Sequence, residues 1–248
     1  MSTVRGRMDT SGLVKPVGYR TPVKTRILAG GIPSAKQQVV RIDRVAAVEY
    51  DARTRAAFAR AALAAVSDCD AVLVSDYGTG LVTPRLVRHL RRRVHARARR
   101  RPVPMLVDSR HDLLRYHGLT ACTPNESEVE QMLDVLIGDN ARTLERAGHA
   151  ILERTRMKAV LITRGSRGMA LFESGRPTIH FPIFGSDEVA DVTGAGDTVI
   201  STFTLALAAG GSPEAASRLA NYAGGIVVMK HGTATVSAAE LRAALRGD

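Results

Sequence analysis

The sequence predicts an α/β fold in which a buried sheet is flanked by helices, and three observations carry that expectation. Apolar runs of strand length recur along the chain, at Ala71–Val74, Pro104–Asp108 and Ala159–Thr163. Longer stretches with helical spacing lie between them, so strand and helix alternate as in α/β domains. With 248 residues and 45% hydrophobic content, the chain favours one such domain over two independent ones.

Taken in order, Ala52 to Val66 is alanine-rich and reads as a helix, and Ala71-Val72-Leu73-Val74 reads as a short buried strand. Nine of the seventeen residues from Arg85 to Arg101 are arginine, yet Leu86, Val87, Leu90 and Val94 share one helical face, so the segment reads as a helix with a solvated flank. Pro104-Met105-Leu106-Val107-Asp108 is the next strand. It ends on an acid at a carboxyl end, where ligands gather in open α/β sheets. Asp108 is therefore expected either near phosphate or metal, or in a structural hydrogen bond to the neighbouring loop. Leu113 and Leu114 begin a short connection toward Cys122. Glu126 to Ile137 and Ala141 to Thr155 read as helices, and Ala159 to Thr163 as a strand. Met169-Ala170-Leu171-Phe172 and Thr178-Ile179-His180-Phe181 form a predicted hairpin that turns at Ser174-Gly175-Arg176-Pro177. Ser212-Pro213-Glu214 opens a further helix, with a serine N-cap and proline at the first position.

The chemistry concentrates in Asp191-Val192-Thr193-Gly194-Ala195-Gly196-Asp197, which precedes the apolar run Thr198-Val199-Ile200-Ser201-Thr202-Phe203. Gly194 and Gly196 permit a tight turn that points successive N–H groups at one spot, and the apolar run has the spacing of a buried helix. A helix N-terminus would then face an anion, with unpaired donors and the positive dipole end. The same dipole favours an ionised Asp197, which would accept a proton from an attacking hydroxyl. Phosphoryl transfer is the reaction suggested, and a plain helix cap is the alternative reading of Asp197.

This segment closely resembles the carboxy-terminal signature of the ribokinase-like (PfkB) sugar kinases, and three further segments resemble that family in the same order. Thr123-Pro124-Asn125-Glu126-Ser127-Glu128 resembles the family's Asn-x-x-Glu segment, which implies that Asn125 and Glu128 organise Mg²⁺ and the nucleotide phosphates through water. Thr163-Arg164-Gly165-Ser166-Arg167-Gly168 resembles the strand-to-turn segment along the nucleotide, placing Thr163, Gly165 and Gly168 at ATP. Asn221 to Val228, followed by Lys230-His231-Gly232-Thr233, resembles the helix and loop that close over the adenine. Asn221 is expected in the nucleotide pocket or in helix packing, and Gly232 in the closing loop; Lys230 and His231 have exposed loop positions as their alternative. Four motifs in order over about half the chain are far more specific than any one.

Within the family, the resemblance is greatest to the heptose-7-phosphate kinase branch. Thr21-Pro22-Val23-Lys24-Thr25-Arg26-Ile27-Leu28 and Gln37-Gln38-Val39-Val40-Arg41-Ile42-Asp43 resemble its paired lid strands, whose basic residues Lys24 and Arg26 face the sugar phosphate. Ser75-Asp76-Tyr77-Gly78-Thr79-Gly80 resembles its turn near the sugar, which implies substrate roles for Asp76 and Tyr77. Members of the family begin with a strand ending in a sugar-binding Asp, then a Gly-Gly segment and an Asn-bearing helix, and this chain shows neither. Met8-Asp9-Thr10-Ser11-Gly12-Leu13-Val14 resembles the connection that follows those elements. The expectation is a ribokinase-like doubly wound sheet over residues 1–248 as a single domain, with a partial β lid and its connection over about 14–45, and without the amino-terminal strands. Such a loss would remove part of the acceptor pocket and expose a sheet edge, to be covered by a homodimer partner or another chain.

The resemblance implies ATP and Mg²⁺ as cofactors, with K⁺ near Asp191 and the loop from Gly232 to Thr235. It implies Asp197 as the base, with the N–H groups of Gly194, Ala195 and Gly196 stabilising the moving phosphoryl group. A net charge of +11 invites a nucleic-acid reading, but no zinc-finger spacing or RNA-binding aromatic signature accompanies the arginines, so no specific nucleic-acid partner is expected. Docking of an acidic partner and salt-sensitive adhesion to polyanions remain open for that flank. No apolar stretch reaches the roughly 18 residues of a membrane span. Cys69 and Cys122 have no metal-ligand spacing and, with the polar start, predict a reduced cytoplasmic chain. Three functions of different class follow: an active kinase for heptose 7-phosphate or another sugar, a nucleotide-binding pseudoenzyme or regulatory subunit, and a polyanion-binding protein.

Overall fold

A computed structural model of the chain describes residues 8–16, 18–29, 37–44, 49–97, 102–185, 191–230 and 232–247. Two strands, β1 (Val23–Ala29) and β2 (Gln37–Arg44), pair antiparallel in a ribbon separate from the main sheet. Because strand side chains alternate between faces, Lys24 and Arg26 share one face of β1, while Val23 and Ile27 share the other. The main sheet has six strands in the order β3 (Val72–Asp76), β4 (Met105–Ser109), β5 (Ala121–Cys122), β6 (Ala159–Thr163), β7 (Met169–Glu173) and β8 (Ile179–Phe181). The first four run parallel, and the hairpin of β7 and β8 adds two antiparallel strands, making the sheet mixed.

The period of two divides the core into two layers. Val107, Cys122, Val160, Ile162, Ala170 and Phe172 face one side. They pack against α1 (Ala52–Ala65), α2 (Pro84–Arg97), α3 (Glu126–Leu133) and α4 (Ala141–Thr155). Leu106, Ala121, Ala159, Leu161, Met169 and Leu171 face the other side. There they meet Val199, Ile200 and Phe203 of α5 (Ala195–Ala208) and Ala216 and Ala220 of α6 (Pro213–Val228). Helices thus cover both faces, as a doubly wound arrangement requires. On α2, Val87, Leu90 and Val94 are buried while Arg85, Arg88, Arg92 and Arg93 are exposed, so the arginines of this helix form a solvated flank. Residues 98–101, which include the last three arginines of that run, lie outside the described residues, as does His231.

One local expectation is corrected, and two further elements are added. The helix expected from Glu126 to Ile137 ends at Leu133, because Asp134 turns left-handed at φ 54° and the Glu130 carboxylate accepts N–H bonds from Ile137 at 2.7 Å and Gly138 at 3.4 Å. Between Leu113 and Cys122 the chain forms a 3-10 turn over Leu113–Arg115 and then the two-residue strand β5. A last helix, α7 (Ala238–Arg246), was not anticipated; its start is fixed by a capping box between Ser237 and Glu240.

Gly168 closes the turn after β6 at φ 75°, where a Cβ would lie 2.0 Å from the Phe181 carbonyl oxygen and 2.9 Å from the Ile183 nitrogen. Gly168→Ala is therefore expected to cost roughly 2–4 kcal/mol, combining left-handed strain with a clash against backbone. Gly175→Ala, also left-handed but with open space around it, should cost only about 1 kcal/mol. Urea unfolding midpoints of the two variants test the difference.

Candidate active site

The carboxyl end of the parallel sheet faces the N-terminus of α5. Gly194 is the N-cap at φ 82°, a conformation that suits glycine, and no side chain caps the helix. The first helical bond runs from Thr198 N–H to the Gly194 carbonyl at 3.0 Å. Ala195 N–H closes the preceding turn onto the Val192 carbonyl at 3.2 Å. Helix geometry thus leaves the N–H groups of Gly196 and Asp197 without acceptors in the helix. Of the expected donors Gly194, Ala195 and Gly196, the Ala195 N–H is thus engaged in the turn, and the Gly196 N–H is among those without an acceptor in the helix. Asp197 lies in the first turn with its side chain exposed, where the dipole stabilises its charge.

Asp191 holds this loop in place. Its carboxylate accepts from Thr193 N–H at 2.9 Å and from Gly232 N–H at 3.1 Å, and its own N–H donates to the Val228 carbonyl at 3.0 Å. One residue thus ties the glycine turn to the end of α6 and to the loop beyond it. The bond from Thr193 holds its carboxyl below the usual carboxylate range, with help from Gly232 and the charge of Arg26 on β1. Lys230 closes the next loop by donating to the Thr235 carbonyl at 2.8 Å and to Glu240 at 2.6 Å. Those bonds lower the Glu240 carboxyl to about 2.

The turn after β3 is braced from inside. Asp76 is buried, and its carboxylate accepts from Tyr116 hydroxyl at 2.6 Å, Ser109 hydroxyl at 3.1 Å and Gly78 N–H at 2.9 Å. Its carbonyl accepts from Arg110 N–H at 3.2 Å. Burial and this carboxylate raise the Tyr116 phenol above its ordinary value. Asp76 therefore joins the ends of β3 and β4, and the outward member of the pair is Tyr77, 53% exposed. The Lys24 ammonium lies 6.0 Å from the Tyr77 ring centroid and the Arg110 guanidinium 5.3 Å from it. Arg110 was not anticipated; its only sequence signal is its place two residues past Asp108.

Asp108 lies between these features. Burial above all, and then the charges of Glu128 and Asp197, raise its carboxyl from 3.8 to about 6 against the opposing effect of Arg110. Of its two expectations, the nearby anionic site is the one the surroundings favour, because its carboxylate makes no hydrogen bond among the described residues. Burial, and then the Asp108 charge, push the Cys122 thiol well up. Asn125 and Glu128 form a capping box at the start of α3, with Asn125 N–H donating to Glu128 and Glu128 N–H to Asn125, both at 2.9 Å. Among the described residues, no group of three or more His, Cys, Asp or Glu is arranged to hold a metal ion directly. The acidic oxygens that converge here nevertheless suit a hard cation held through water.

On the nucleotide side, Thr163 lies beside Asn125 across a parallel bridge, and its N–H donates to the Pro124 carbonyl at 3.0 Å. Gly165 begins the 3-10 turn that follows β6. Glu126 pairs with Arg164 at 2.7 Å and with Arg167, locking that turn to α3. Asn221 donates its side-chain amide to the Pro182 carbonyl at 2.8 Å, directly after the Phe181 carbonyl that crowds Gly168. Of its two expected roles, helix packing is therefore visible in the fold.

A family model for the pfkB family carbohydrate kinases matches residues 34–240. The bifunctional protein HldE of Desulfatibacillum aliphaticivorans is 41% identical over 240 residues, covering 96% of this chain and 47% of the relative. That of Geobacter sulfurreducens is 40% identical over 235 residues, covering 94% and 46%. The chain thus spans about half the length of these curated relatives. Among solved structures, Arabidopsis thaliana ribokinase complexed with ribose and ATP aligns with a TM-score of 0.61 and 24% identity, over 74% of this chain and 58% of that one. Phosphofructokinase-2 from Escherichia coli in complex with fructose-6-phosphate aligns with a TM-score of 0.67 and 16% identity, over 84% and 66%.

The raised Asp108 carboxyl has a consequence for stability. Its folded value lies above its unfolded one, so its stabilising contribution is complete below about pH 4 and is lost as pH rises through about 6. Discounted for solvent screening, the loss amounts to roughly 1–2 kcal/mol. Thermal unfolding from pH 4 to pH 7 should show Asp108→Asn gaining on the parent chain across that window.

Proposed function

The chain belongs to the pfkB family of carbohydrate kinases, and within it we propose that this protein transfers the γ-phosphoryl group of ATP to a hydroxyl of a sugar phosphate, heptose 7-phosphate, giving heptose 1,7-bisphosphate. The observation that carries the reading is the exposed Asp197 in the first turn of a helix that no side chain caps and whose Gly196 and Asp197 N–H groups have no acceptor within it. Resemblance of the Lys24–Arg26 lid and the Asp76–Tyr77 turn to the heptose-7-phosphate kinase branch supports the choice of acceptor.

In the proposed reaction the acceptor hydroxyl lies against Asp197, which accepts its proton as the bond to phosphorus forms. The N–H groups of Gly196 and Asp197 stabilise charge on the transferring phosphoryl oxygens, with the positive end of α5 behind them. Such transfer depends chiefly on positioning and electrostatics. Asn125 and Glu128 would hold Mg²⁺ through water, and Asp108 would extend the same acidic surface. When bound, that ion neutralises phosphate charge. K⁺ is proposed beside Asp191, whose carboxylate already binds two N–H groups, so carbonyls of the loop from Gly232 to Thr235 would complete its shell. Thr163, Gly165, Gly168, Asn221 and Gly232 form or brace the proposed ATP pocket.

We assign the lid's apolar face to a second copy of the chain. Val23, Ile27, Val40 and Ile42 are exposed large hydrophobics on one face of a two-stranded ribbon, which has little independent stability. One structural relative, phosphofructokinase-2, has been solved as a tetrameric inhibited form. Sedimentation should show Ile42→Lys shifting the protein toward monomer, whereas an unchanged mass would remove this face from the assembly.

Asp197→Asn is expected to lower heptose-phosphate-dependent ADP release by roughly 10²–10⁴-fold while ATP affinity changes little. Retained turnover in that variant would reduce Asp197 to a helix cap.

A further inference from the structure

Arg110 is exposed at the carboxyl end of β4 and makes no ion pair within 4.0 Å among the described residues. This is unlike Arg115, Arg164 and Arg167, each of which meets a carboxylate. Its backbone is fixed by the Asp76 carbonyl, so the residue leaves the sheet in a set direction. Its guanidinium and the Lys24 ammonium of the lid are both drawn to the Tyr77 ring, 5.3 and 6.0 Å from its centroid. Two cations from different elements, gathered on one ring without an acidic partner in an ion pair, repel each other and favour an anion between them.

Space for that anion exists alongside. A cleft of about 390 Å³ runs from Arg110 and His111 to Glu128, Gln131 and Met132. Asp112 and Arg115 also line it and pair with each other at 3.0 Å, so Arg110 supplies the unpaired charge at one end, and the Glu128 end adjoins the proposed Mg²⁺ waters. A molecule lying there would present one end to Arg110 and the other to Glu128.

Building on the sugar-phosphate kinase reading, we infer that Arg110 is a specificity-determining residue that takes the acceptor's own phosphate group, together with Lys24 and with the Tyr77 ring as their shared platform. Guanidinium suits this role, because its planar fork meets phosphate oxygens in pairs. Asp76, Ser109 and Tyr116 act as positioning residues, since their buried hydrogen bonds hold the two turns that carry Tyr77 and Arg110.

The competing source of phosphate at Arg110 is ATP, and calorimetric titration separates the two. D-glycero-D-manno-heptose 7-phosphate, the unphosphorylated heptose and ATP would each be titrated into the full chain, Arg110→Met and Arg110→Lys, with ADP release measured in parallel. Arg110→Met should weaken heptose 7-phosphate roughly 10- to 100-fold, leave the unphosphorylated sugar and ATP within about threefold, and be partly restored in Arg110→Lys. Equal affinity for heptose 7-phosphate in the parent chain and Arg110→Met, a loss falling on ATP instead, or no binding of heptose 7-phosphate to the parent chain overturns the inference. Tight, Arg110-dependent binding without ADP release refutes the kinase reading while leaving Arg110 as the phosphate ligand. Turnover with an indifferent Arg110 does the reverse.

Discussion

The catalytic end of this molecule depends on one carboxylate that does no chemistry. Asp191 receives N–H bonds from Thr193 and Gly232 and donates its own N–H to Val228. Those bonds set the path by which the chain enters α5 and therefore the direction of the free N–H groups of Gly196 and Asp197. A charge held by backbone donors stays ionised, which keeps the turn rigid across the ordinary pH range. Behind it, α5 and α6 pack on the layer of Leu106, Leu161 and Leu171, so the anion-binding turn rests on the sheet through buried apolar contact.

A second carboxylate, Asp76, does for the turns after β3 and β4 what Asp191 does for the turn into α5. Buried and bonded by Tyr116, Ser109 and Gly78, it holds together the turns after β3 and β4. A buried charge is tolerated only when its lone pairs are engaged. With Asp76 and Asp191 both occupied and Glu128 accepting from Asn125 N–H, Asp108 and Asp197 are the carboxylates of this cluster that make no hydrogen bond among the described residues. The lid adds the opposite sign through Lys24, Arg26 and, from the sheet, Arg110. Acid on the floor and base on the lid is the polarity that a metal–nucleotide complex and a phosphorylated acceptor require between them.

Much of this was legible in the sequence. The apolar runs at residues 71–74, 104–108 and 159–163 marked strands because periodicity reports burial, and Ser212-Pro213 marked a helix start because capping is local chemistry. The Asp191–Asp197 segment announced its helix N-terminus for the same reason. What depends on distant contacts was not legible. Ile137 lies outside α3 because the Glu130 carboxylate binds its N–H from seven residues away. The engagement of Asp76 depends on Tyr116, forty residues on, and the cation-lined face of Tyr77 depends on the lid. The start of α7 was available in Ser237-x-x-Glu240 as a capping pattern, and only the lack of a long apolar run hid it.

The most direct test of the central claim is phosphorus NMR of a reaction containing the full chain, ATP, Mg²⁺, K⁺ and D-glycero-D-manno-heptose 7-phosphate. The site described here predicts ADP together with a second sugar phosphate resonance, coupled to the anomeric proton, that grows as the γ-phosphate of ATP disappears. ATP left intact, or converted to ADP and inorganic phosphate with the heptose unchanged, would contradict phosphoryl transfer to this acceptor.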